Sequence, residues 1–132
     1  LIYSFRLREL LEHKPEPSIK DIKLLKIGRH FRLSKGCKLV VGRNERENNI
    51  INDLAGIDDY LLWVEGFGSP LAIITGSASG KEIKIAASIV VKYSDAKNLL
   101  EIPVTVKQNN QRYTINTGSA ITDLIASVGI TR

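Results

Sequence analysis

YLLWVEGFGSPLAIITGSASGKEIKIAASIVVKYSD, residues 60–95, holds two apolar runs, a glycine turn between them and one amphipathic segment. The runs Tyr60 to Val64 and Leu71 to Thr75 are short, rich in Leu, Ile and Val, and bounded by turn residues, which is the pattern of buried strands. Gly66 and Gly68 supply the turn that joins them. After the second run, Ile83, Ala86, Ala87, Val90 and Tyr93 recur on one helical face while Lys84 and Lys92 stay in water. Lys81 to Asp95 is therefore predicted as a helix covering a sheet.

Upstream, residues 30–33 and 38–43 read as two strands around the hairpin signal Ser34-Lys35-Gly36-Cys37, and Asn44 caps a helix reaching Leu54. Before them Ser18 is an N-cap with Asp21 three residues on, opening a helix that carries Ile22, Leu24 and Leu25 and ends near Gly28. Phe5, Leu7, Leu10 and Leu11 mark a first short helix, stopped by Pro15 and Pro17. Downstream, Ile102 to Val106 and Arg112 to Ile115 flank the polar turn Gln108-Asn109-Asn110, and a last helix covers about Ser119 to Val128. Strands come in hairpin groups rather than in βαβ alternation. The expected class is α+β, a mostly antiparallel sheet with a covering helix and short terminal helices. Leu39, Val41, Leu61, Ile73, Ile83, Val90 and Val104 are expected in its core.

The chain has 132 residues, 43% hydrophobic and 25% charged, which is enough to bury a core without staples. The single cysteine, Cys37, excludes an internal disulfide framework and a multi-thiolate zinc site. No run approaches the roughly 18 apolar residues of a membrane span, and no secretory leader is visible, so a cytoplasmic location with no membrane partner is expected. The first residue is Leu1 rather than methionine, which suggests a piece of a longer protein. Residues 1–17 are expected to be a helix and proline linker leading from an upstream domain, and 18–132 the functional domain.

Charge is unevenly placed. From Lys20 to Arg43 there are eight cations, at 20, 23, 26, 29, 32, 35, 38 and 43, against Asp21 alone. Such a block attracts phosphate backbones or acidic surfaces, and it is equally the composition of a solvated helix and hairpin.

Three places carry residues of possible chemical use. Gly76-Ser77-Ala78-Ser79-Gly80-Lys81-Glu82 sits between a strand and a helix as a P-loop does. It has three residues where the nucleotide-binding pattern has four, and Glu82 replaces the magnesium-binding hydroxyl, so a loop leading into a helix is the better reading. Cys37 lies among Lys35, Lys38 and Arg32, cations that lower a thiol pKa, but no second thiol or histidine base accompanies it. It is expected to be inert and dispensable for folding, with participation in sulfur transfer the remaining alternative. His13 and His30 have no patterned carboxylate partners, so no metal site, no cofactor and no catalytic residue are expected in this chain.

Gly42-Arg43-Asn44-Glu45-Arg46-Glu47-Asn48-Asn49 is explained structurally by a glycine turn, an Asn44 cap and an exposed Arg43. It also resembles the NFACT-R domain, the RNA-binding module of ribosome quality-control proteins, in which a Gly-Arg-Asn signature precedes a Gln-Asn pair. Glu47 stands in the glutamine position and Asn48 matches the asparagine. The likeness continues through Asp58-Asp59, Val64, Gly68-Ser69 and Ala86-Ala87 to Lys92-Tyr93-Ser94. Two histidine positions of the family hold Trp63 and Pro70, so the roles of those histidines do not carry over. The flanks Phe5 to Leu11 and Ile22 to Leu33 resemble the C-terminal region of PP-loop tRNA thiolation proteins, some labelled tRNA 2-thiouridylase or 5-methylaminomethyl-2-thiouridylate methyltransferase. The resemblance implies a non-catalytic, RNA-binding tail of an ATP-dependent tRNA thiolation enzyme, with tRNA or other RNA and the catalytic domain of the same parent as partners. Lys23, Lys26, Arg29, Arg32, Lys38 and Arg43 are then expected on phosphates, with Asn44 and Asn48 supporting. Trp63 and Tyr93 are alternatives for base stacking, Trp63 being more often a core residue. A docking or dimerisation module within the parent enzyme is the second reading.

Overall fold

The protein, described by a computed structural model over residues 2–130, is built of 11 elements in chain order. They are α1 (Ile2–His13), α2 (Ile19–Leu24), β1 (Arg29–Ser34), β2 (Cys37–Val41), α3 (Glu45–Leu54), β3 (Tyr60–Val64), β4 (Ala72–Gly76), α4 (Gly80–Lys92), β5 (Ile102–Gln108), β6 (Gln111–Thr117) and α5 (Thr122–Val128). Leu1, Thr131 and Arg132, the last two at the end of the expected 18–132 domain, lie outside the described residues. The strands form one six-stranded sheet in the order β1-β2-β4-β3-β5-β6, and every pairing in it is antiparallel. The expected α+β class is therefore what is found.

Helices cover the sheet on both faces. On one face α4 lays Ile83, Ala86, Ala87 and Val90 over Phe31, Leu39, Leu62, Ile74, Val104 and Val106. On the other, Leu24 and Ile51 from α2 and α3 meet Val40, Leu61 and Ile73. The seven expected core residues are all buried, but Leu61 and Ile73 belong to this second cluster and not to the one under α4. β2 is buried at all five positions because it is sandwiched between the two. Such strands read as continuous apolar runs, so their sequence does not tell which side faces which helix.

Several boundaries shift for local reasons. α2 stops at Leu24 rather than near Gly28, because Leu25 N–H and Ile27 N–H turn back to Ile22 and Leu24 and Gly28 then takes φ +72°. The second hairpin strand ends at Val41, since the Arg43 backbone is drawn to the Glu47 carboxylate. α5 starts at Thr122, not Ser119, as Ser119 and Ala120 bond to Lys97 and Ser88 carbonyls. Ser18 and Ser79 both form capping boxes, with Asp21 and Glu82 respectively. In the second box the Glu82 carboxylate accepts the Ser79 N–H, so the loop after β4 serves as the entry cap of α4. Asn109 and Asn110, at φ 54° and 62°, make the two-residue left-handed turn of the β5–β6 hairpin.

α1 is fastened to this body. Leu10 is buried, the Arg32 guanidinium grips Glu9 through Nε and Nη2 at 2.8 Å each, and Arg6 donates to the Leu25 and Gly28 carbonyls. The two edges of the sheet differ: β1 is partly covered by Gly129 and Ile130, the latter donating to the His30 carbonyl, whereas β6 has no outer partner among the described residues.

Cys37 points into the core under α4 and is fully buried. Burial first, then Glu82, pushes its thiol up to about 11 against the pull of Arg32, the reverse of activation. Native protein is expected to resist a thiol reagent and to be labelled only on unfolding; fast native labelling would contradict this. Cys37→Ser, harmless by the sequence reading, is now expected to cost about 1–2 kcal/mol by burying a hydroxyl.

Candidate functional site

The turn from β2 into α3 is held by its own side chains. Asn44 Oδ1 accepts the Glu47 N–H at 2.9 Å and caps α3, whose acidic first turn suits the positive helix end. Glu47 is buried and turns back to Arg43, accepting from its backbone N–H at 3.0 Å and from Nε and Nη2 at 2.9 and 2.7 Å. These hydrogen bonds hold the carboxyl at about 2, against the opposing effect of burial, with the Gly28 backbone N–H helping. Asn48 Oδ1 accepts the Leu71 N–H at 3.0 Å and lies so close over Gly42 that a Cβ there would collide with it. Gly42 N–H in turn reaches the Leu71 carbonyl.

The other motif segments arrive at the same end of the sheet. Gly68 leaves no room for a Cβ beside the Asp95 carboxylate, and its carbonyl accepts the Asp95 N–H. Ser69 Oγ accepts the Val64 N–H and so closes the β3–β4 loop. Tyr93 is the C-cap of α4, and its ring lies under the Arg29 guanidinium at 4.3 Å. Gly42, Arg43, Asn44, Asn48, Gly68, Ser69 and Tyr93 therefore line one cleft of about 320 Å³ together with Arg29.

The expected phosphate contacts fall into two groups. Lys23 and Lys26 are exposed, Lys26 reaching over the Tyr3 ring, and Arg29 and Arg43 face the cleft. Arg32 and Lys38 do not join them. Arg32 is committed to Glu9, and Lys38 is 6% exposed on the inner side of β2, where burial lowers its ammonium to about 8 although Glu9 opposes the fall. Asn44 and Asn48 line the cleft but spend their carbonyl oxygens on the turn, which leaves them their NH₂ donors. Trp63 is half-buried against the α2–α3 side core, donates to Glu65 and carries Arg112 over its ring, and does not line the cleft. His30 is buried, its Nε2 on the Ile27 carbonyl. One cation was missed: Arg6 of α1 borders Arg29 and Arg43, and nothing in the local pattern of a short amphipathic helix distinguishes it from Arg8.

Residues 28–125 match the family described as NFACT protein RNA binding domain. The chain belongs to that family. Its NFACT signature thus lies on the turn from β2 into α3 and the first turn of that helix, with the Gly-Ser and Tyr-Ser segments converging on the cleft. The fold is also that of the C-terminal part of the fibronectin/fibrinogen-binding protein from Streptococcus suis, with a TM-score of 0.70 at 13% identity over 95% of this chain. This NFACT domain spans 66% of that structure's length. No curated protein sequence matches the chain.

Proposed function

We propose that this NFACT domain binds tRNA through the surface around Lys23, Lys26, Arg29 and Arg43, as the non-catalytic RNA-holding part of a tRNA-thiolating enzyme. The observation that carries the reading is the convergence of the family's signature segments on a cleft rimmed by Arg29 and Arg43, with Arg29 stacked on Tyr93. The thiolation context is supported by the resemblance of α1 and of α2 through β1 to such enzymes. Phosphate contacts of this kind position an RNA and carry little sequence information.

A titration with tRNA at two salt concentrations tests it. About four neutralised phosphates give a slope of log affinity against log salt of roughly −3 to −4, or about a hundredfold loss between 50 and 200 mM. The triple change Lys23→Glu, Lys26→Glu, Arg29→Glu is expected to weaken all tRNAs alike and to flatten the slope to about −1. Arg32 and Arg43 are left alone because reversing either would set a carboxylate against Glu9 or Glu47 and unfold what it tests. No binding at 50 mM salt, with association to the parent's catalytic domain retained, would transfer the function to docking.

A further inference from the structure

Beyond the motif cleft and sharing Arg29, Arg43 and Tyr93 with it, a second cleft of about 430 Å³ opens between α1, the start of β1, the end of α4 and α5. Its size falls within the roughly 300–1,000 Å³ of small-molecule sites. Its lining is cationic at Arg6, Arg29 and Arg43 and apolar at Ile125 and Ala126 of α5.

Of the three cations in this lining only Arg43 has a carboxylate partner among the described residues, Glu47; Arg6 and Arg29 have none. No carboxylate lines the cleft among the described residues, and Glu47 is taken by Arg43. Arg6 sends Nη1 and Nη2 to the Leu25 and Gly28 carbonyls at 2.8 Å, while its buried Nε–H has no acceptor. Burial, and then the charge of Arg43, depresses its pKa, the direction expected of a guanidinium crowded by another cation. A group that restores balance is an anion, and one that also covers Ile125 and Ala126 carries an apolar surface beside that anion.

We propose that this cleft seats one unpaired nucleotide of the bound RNA, its phosphate on the arginine wall and its base against Ile125, Ala126 and the Tyr93 ring. The assignment rests on the RNA-binding reading above. It gives the flanks of the family-matched region a task, since Arg6 comes before residue 28 and Ala126 after residue 125. Single-stranded segments are recognised in this way because their bases can be splayed out, whereas a duplex keeps them stacked.

The test fills the cleft without touching a charge. Ala126 is exposed on α5, so Ala126→Trp is expected to keep the thermal midpoint of the full chain. Binding of a labelled ten-nucleotide oligouridylate is expected to weaken at least tenfold with an unchanged salt slope, while a ten-base-pair blunt RNA duplex binds as before. A second variant, Arg6→Gln, is expected to weaken the oligouridylate and flatten its slope by about 0.7, the share of one phosphate on a single strand. Unaltered oligouridylate binding by Ala126→Trp, with the triple charge reversal still effective, would overturn the cleft assignment and leave the RNA reading standing. Free uridine monophosphate binding as tightly as the ten-mer would also overturn it, making this a mononucleotide site. Failure of the unmodified protein to bind either RNA at low salt would remove both.

Discussion

Glu47→Ala is expected to destabilise the domain by about 3 kcal/mol and to lower its midpoint by about 10 °C. The carboxylate is buried and accepts three hydrogen bonds from Arg43, so its loss strands the Arg43 backbone N–H and frees the guanidinium that shapes the cleft. Breaking a fully buried ion pair costs about 3–5 kcal/mol, and the lower end applies because Arg43 is 47% exposed and partly screened. Glu47→Gln keeps one acceptor and is expected to lose about half as much. Urea unfolding of the three proteins at pH 7 measures this; a Glu47→Ala midpoint within error of the parent would show that the turn is not held as described. The family pattern has glutamine at this position, so a nearly neutral Glu47→Gln would mean the charge contributes little beyond the hydrogen bonds.

Acidification is expected to weaken the domain well above the pH at which carboxylates titrate, because of His30. Its imidazole is buried; that burial, then Lys38 and Arg6, holds it at about 3 against a free value of 6.5. The folded value lies below the free one, so stability is whole above pH 6.5 and is lost as pH falls through this window toward 3. The unfolded chain takes up a proton that the folded chain refuses. The slope approaches about 1.4 kcal/mol per pH unit below the free value, which gives a loss of roughly 2.3 kcal/mol between pH 6.5 and 4.5. Below 4.5 the depressed Glu47 carboxyl adds its own loss, up to about 3 kcal/mol by the size of its shift and about 2 after allowing for the exposed side of its partner. His30→Gln retains a donor for the Ile27 carbonyl and has no proton to gain, so its stability should be nearly flat from pH 6.5 to 4.5. Urea midpoints at four pH values compare the two proteins, and an equally steep decline in the variant would assign the effect elsewhere.

The sheet, its hairpins and its main helix were legible because each was short, bounded by turn residues and periodic. The caps at Ser18 and Asn44 were legible too, since a cap needs only partners three residues apart. What could not be read was which cations remain available. A run of eight Lys and Arg residues looks uniform in one dimension, yet Arg32 meets Glu9 across 23 positions, and Lys38 alternates inward on a strand buried on both faces. Arg6 escaped notice for the same reason in reverse: its significance comes from Arg43 and from α5, neither of which is near it in sequence. The signature segments were recognisable as a set, but their meeting at one end of the sheet depends on strand order, which local pattern does not contain.

The unequal edges of the sheet limit how copies of this domain can join through their backbones. Among the described residues β6 offers seven residues of unpaired edge with Arg112, Tyr113, Thr114 and Asn116 exposed, whereas β1 is interrupted by Gly129 and Ile130. A strand is therefore added more readily at β6 than at β1. Two domains meeting β6 to β6 would form a twofold pair whose outer edges are the partly covered β1 strands, so such contact favours a dimer over a propagating fibre.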